Sequence, residues 1–164
     1  MKTMDDIAYA SPFRDWSPLG KFSLALSLLV ASLLASSIVV PSIGLVVGFV
    51  LLAYSTRLRF PKVIVIALLE GLLIFFIGAL VIALVTAGQP LWTFDLWPLT
   101  VTVSREGAHL GLLVFLRAVT GVTVMLFFAT STPLPQFANS LRQIRMPKEI
   151  VELTVLIYRY SFLL

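Results

Sequence analysis

Hydrophobic positions run along this chain in long uninterrupted blocks, and the few charged residues fall between the blocks. No charge occurs between Lys21 and Arg57, and Pro41 divides that stretch into Phe22–Val40 and Ser42–Ser55. A straight helical span takes about 20 residues, so the first arm is long enough to cross a bilayer and the second is short. The pattern predicts a helical hairpin with a short or tilted second arm. Ala25, Ser27, Ala31, Ser32, Ala35 and Ser36 supply the small side chains that allow close packing of the first arm. Val63–Ala87 is a clear span whose one charge is Glu70, and Ala108–Thr130 is another whose one charge is Arg117. Between them, Gly88–Ser104 carries Pro90, Trp92, Trp97 and Pro98. That composition reads as a loop at headgroup level, anchored by its tryptophans.

Composition then fixes the solvent. The 164 residues are 59% hydrophobic and 12% charged, against roughly 45–50% apolar and about 25% charged in soluble domains. A soluble domain of this size still exposes roughly 30% of its unfolded-chain surface, too much for so apolar a chain to hide. The expected fold is therefore an all-α, polytopic helical membrane protein of about four transmembrane helices, followed by cytoplasmic amphipathic helices. Its organisation is a cytoplasmic N-terminal segment (1–21), a transmembrane helical domain (22–130) and the start of a cytoplasmic coupling-helix region (131–164). The acidic start, with Asp5, Asp6 and Asp15, excludes a cleavable signal.

Charge sets the orientation. The net charge is +4, but the Lys and Arg residues are scattered or in small groups, which excludes a nucleic-acid surface. Arg57, Arg59 and Lys62 share one loop, Arg142, Arg145 and Lys148 follow the last span, and Gly88–Ser104 has none. The positive-inside rule places the 57–62 loop, the C-terminal segment and both ends of a multi-pass chain in the cytoplasm of a cell-membrane protein.

After the last span the pattern changes to helical amphipathicity. Thr132-Pro133 reads as a helix start. Leu134, Phe137, Leu141 and Ile144 then fall on one face, with Gln136, Asn139, Arg142, Gln143 and Arg145 opposite. Met146-Pro147 breaks this helix. In the next, Glu149, Glu152, Leu156 and Arg159 form a narrow stripe along an otherwise apolar rod. Two faces presented in series across a proline corner at Pro147 read as a docking surface; the alternative is a pair of helices lying on lipid. The apolar, uncapped ending Ser161–Leu164 predicts that the natural chain continues.

These landmarks resemble a known family. Asp5-Asp6-Ile7-Ala8, Ser11-Pro12 and Ser17-Pro18-Leu19-Gly20-Lys21 before the first helix are similar to the entry of energy-coupling factor (ECF) transporter T components. Arg105-Glu106-Gly107, Phe115-Leu116-Arg117, Thr130-Ser131-Thr132-Pro133, Met146-Pro147 and Tyr158-Arg159-Tyr160 follow in that family's order, most like its cobalt-type CbiQ members. The resemblance implies a membrane scaffold between ABC-type ATPases (CbiO-like) and a substrate-capture membrane subunit (CbiM-like), with a small CbiN-like subunit as a further partner. It implies cobalt import serving cobalamin biosynthesis, with nickel or a vitamin as alternative substrates. The family's ATPase-docking Ala-Arg-Gly-like motifs do not occur here. The expected coupling residues are Phe137, Leu141, Arg142, Ile144, Arg145, Pro147, Glu149, Glu152 and Arg159.

The remaining chemistry is sparse. With no cysteine and one histidine, His109, neither a thiolate nucleophile nor a cluster of metal ligands can be assembled, and no catalytic or metal-binding residue is expected. The glycines Gly44, Gly48, Gly71 and Gly78 lack a P-loop lysine, so ATP belongs to partner subunits and no cofactor is expected on this chain. An intramembrane enzyme or a channel is disfavoured by the lack of titratable groups and of a polar-lined helix face. Glu70 and Arg117 lie at costly depths and read either as a pair or partner contact, or as parts of an ion relay.

Overall fold

The computed structural model describes residues 8–13, 15–58, 60–96, 99–133 and 135–137, with positions 140, 152, 153, 156 and 160 beyond them. Four helices dominate: α1 (Pro18–Leu34), α2 (Val39–Ser55), α3 (Lys62–Val85) and α4 (Arg105–Ser131). Between α3 and α4 lie two strands, β1 (Pro90–Leu96) and β2 (Leu99–Ser104). The protein is a helical membrane protein, with α3 and α4 long and apolar enough to cross a bilayer and α1 and α2 shorter apolar rods.

Ser17 caps α1 by accepting from the Gly20 backbone N–H at 3.3 Å, with Pro18 in the first turn, where a missing N–H costs nothing. The two arms of the hairpin are equal, 17 residues each, or about 25 Å of helix. The break does not fall at Pro41. It falls at residues 35–38, and Pro41 sits in the first turn of α2, a position where no intrahelical N–H bond is lost. Ser37 helps make the corner by accepting from the Val39 N–H at 3.3 Å.

The segment 88–104 is also not a simple loop. β1 and β2 pair antiparallel, with Trp92 opposite Val103 and Phe94 opposite Val101. The run Leu99-Thr100-Val101-Thr102-Val103 is β-branched and alternating, the local pattern of a strand, and Pro90 stands first in β1, where a ladder tolerates it.

α4 packs against each of the other three helices. A Cβ on Gly107 would lie 2.6 Å from the Ala83 carbonyl, and one on Gly111 would lie 2.6 Å from that of Ala79, so α3 runs antiparallel to α4 at backbone contact. Gly44 meets Thr120, and Gly48 meets Thr123 and Val124, so α2 runs parallel to α4. Phe22 touches Phe128 while Ala35 meets Arg117, making α1 antiparallel. The hairpin tip therefore stands level with the middle of α4, and residues 105–114, about 15 Å of helix, rise beyond it. The apolar core gathers at the opposite end, around Phe13, Leu52, Ile64 and Phe127.

Candidate coupling surface

The end of the bundle where α4 stops is held by polar bonds as well as by apolar packing. Lys21 is 1% exposed, and its Nζ donates to the Ser131 carbonyl at 2.8 Å. A cation on the last carbonyls of a helix satisfies an orphan acceptor and complements the negative end of the helix dipole. Beside it, Ser11 Oγ lies 3.0 Å from Ser55 Oγ, which lies 3.2 Å from Thr130 Oγ1. Thr130 donates to the Leu126 carbonyl at 2.8 Å. A hydroxyl has one proton to give, so the chain runs from Ser11 through Ser55 and Thr130 to Leu126. It links the N-terminal segment, the end of α2 and the end of α4.

From this knot the following segment emerges. Thr132 closes α4, and the Pro133 carbonyl accepts from the N–H groups of Gln136 and Phe137 at 3.0 and 3.1 Å, opening a new helical turn. Phe137 sits against Phe128 and Phe22, with ring centroids at 5.4 and 5.8 Å. Expected on an outward coupling face, Phe137 fastens the root of the segment to α1 and α4. Glu152 is exposed, as are Leu153, Leu156 and Tyr160. Leu141, Arg142, Ile144, Arg145, Pro147, Glu149 and Arg159 lie outside the described residues.

Glu70 and Arg117 do not pair. The contacts of Gly107 with Ala83 and of Gly111 with Ala79 set a register that brings Glu70 within about one turn of the level of Arg117. Direction keeps them apart. Arg117 turns to the hairpin tip and donates through Nη2 to the Ala35 carbonyl at the C-cap of α1, while its buried Nε has no hydrogen-bond partner among the described residues. Glu70 is exposed on α3, about 120° around the helix from the buried Ile64.

At the far end of α4, Ser104 caps the helix by accepting from the Gly107 N–H at 3.0 Å, and its hydroxyl donates to the Thr86 carbonyl at 2.6 Å. Glu106 accepts from the Gln89 N–H at 2.8 Å. His109 is exposed, in an open depression shared with Arg105, Glu106 and Leu110. Among the described residues, no three His, Cys, Asp or Glu side chains gather as a metal site would require.

Sequence reasoning missed the two glycine seams and the polar knot. A signal for the seams was present: Gly44 and Gly48, and again Gly107 and Gly111, are spaced by four, the small-xxx-small pattern of closely packed membrane helices. Lys21 gave no such signal, since a lysine before an apolar run reads as a flanking charge.

Apolar helices of these lengths, packed on glycine seams around one central helix, define a helical membrane protein. The chain belongs to the CbiQ family of cobalt transport proteins, whose model matches residues 10–164. It is 34% identical over 162 residues to an uncharacterized protein of Methanocaldococcus jannaschii, covering 98% of this chain and 60% of that one. It is also 28% identical over 165 residues to a protein of Methanocorpusculum labreanum named as a fused cobalt transport protein CbiMQ, covering 97% of this chain and 27% of that one. The chain thus spans less than two thirds of the length of either relative.

Proposed function

We propose that this chain is the transmembrane energy-coupling part of an ECF-type importer for cobalt ions, a mechanical scaffold that performs no catalysis itself. The observation that supports this most is the polar knot at the root of the emerging segment. Lys21 holds the last carbonyl of α4, and Phe137 is packed on Phe128 of the same helix. A displacement of residues 133–137 is therefore delivered to α4, and α4 touches each of the other three helices, α1, α2 and α3. Interiors packed this closely transmit strain. Partner ABC-type ATPases, CbiO-like, would supply the displacement, and a CbiM-like capture subunit, with a small CbiN-like subunit, would receive it. The CbiMQ name of the Methanocorpusculum relative supports a CbiM neighbour.

In this reading the basic end, with Arg57 and Lys62, faces the cytoplasm, and the β1–β2 hairpin faces outward. The metal is cargo held by the capture subunit; nickel or a vitamin is the same-class alternative. The test is cobalt uptake and ATPase recovery with the full-length protein carrying Glu152→Lys or Arg159→Glu. Loss of both with normal membrane insertion is the expected result. Wild-type uptake and recovery in both variants would return these helices to the lipid surface.

A further inference from the structure

α3 is the least covered of the four helices. Ile64 is its one buried residue, and Ile66, Leu73 and Ile77 are each more than half exposed. These three lie four residues before, three after and seven after Glu70, so all share its face. Such an apolar face suits lipid, and Glu70 interrupts it about 12 Å along the helix from Lys62. The carboxylate is exposed and, among the described residues, has neither a hydrogen bond nor an ion pair. An ionisable group at that depth normally faces protein or a water-filled cavity and finds a partner there. Arg117, the other charge deep within the long helices, is already engaged at Ala35.

We propose that this face of α3 is covered by a transmembrane helix of the CbiM-type partner subunit, which brings a basic side chain to the Glu70 carboxylate. The inference deepens the transporter reading and rests on it. Charge complementarity selects the occupant. A second copy of α3 would set two carboxylates against each other, which is unfavourable for both, and an acyl chain offers no donor. A helix with apolar rows and one cation satisfies both the Ile66–Leu73–Ile77 surface and the acid. Because Glu70 makes no hydrogen bond or ion pair among the described residues, its removal separates assembly from folding.

The experiment co-expresses the full-length protein with the CbiM-type subunit and measures co-purification in mild detergent, alongside the melting temperature of the chain alone. Glu70→Leu is expected to leave the melting temperature unchanged or raised while lowering recovery of the partner by at least about tenfold; Glu70→Asp should retain part of it. A photo-crosslinking residue at Leu73 should capture the same subunit in intact membranes. Undiminished recovery with Glu70→Leu, or crosslinks at position 73 only to lipid, to a second copy or to a later segment of the same chain, would overturn the proposal with the transporter reading intact. Failure of the wild-type chain to retain the subunit at all would overturn both.

Discussion

Lys21, at the start of the first helix, donates its ammonium to the backbone carbonyl of Ser131, the last residue of α4, at 2.8 Å across 110 positions of sequence. The bond closes the bundle where the following segment leaves it. It also joins the two elements that Phe137 rests on, through Phe22 and Phe128.

Removing that ammonium should loosen both. Lys21→Met keeps the apolar stem but leaves the Ser131 carbonyl buried without a donor, at a cost of about 1.5–3 kcal/mol for a bond to a charged group. A lower melting temperature in detergent and faster amide exchange at Gln136 and Phe137 are expected. An unchanged melting temperature would mean that the bond contributes nothing to the fold.

The glycine seams give a contrast within one helix pair. Gly111→Ala places a methyl 2.6 Å from the Ala79 carbonyl, and relief requires α3 and α4 to move apart, about 1–3 kcal/mol of overpacking. Gly78→Ala and Gly121→Ala meet nothing within 4 Å among the described residues and should be neutral or stabilising by about 0.5–1 kcal/mol. Equal effects at all three positions, read by thermal unfolding, would contradict the packing described.

Arg117 and Glu70 should behave as strangers. Arg117→Gln withdraws a charged donor from the hairpin tip and should lower stability by about 1–3 kcal/mol. Glu70→Gln should change the isolated chain little. The double variant should equal the sum within about 0.5 kcal/mol. Recovery of stability in the double variant would show that the two charges meet after all.

The orientation is open to direct labelling, because the chain has no cysteine. Leu58 and Gln89 are both exposed, at opposite ends of α3. A cysteine at position 89 should react with an impermeant thiol reagent on intact cells, and one at position 58 should react only after the cells are opened. The reverse pattern would invert the topology.

Much of the architecture was legible because a bilayer selects on local composition. The apolar blocks of α3 and α4, with their flanking charges, could be read residue by residue, but the unequal arms expected of the hairpin are in fact equal, 17 residues each. Even the misplaced corner has a local explanation: Pro41 is a strong break signal, yet a proline in the first turn of a helix breaks nothing. The β1–β2 ladder was likewise written in the alternation of Leu99–Ser104 and obscured by the prolines and tryptophans around it.

What the sequence by itself determined, then, was which segments leave water and roughly where each begins and ends. The tertiary structure alone decided which faces meet. Lys21 could have been one more interfacial charge, and it became the clamp on α4 only because α1 runs antiparallel beside that helix. Glu70 and Arg117 looked like partners because depth along a helix can be counted from sequence. The direction of a side chain around the bundle depends on the rotation of each helix, and that is fixed by contacts such as Gly111 on Ala79 and Gly48 on Val124. Those contacts join residues far apart in the chain, so no local pattern records them.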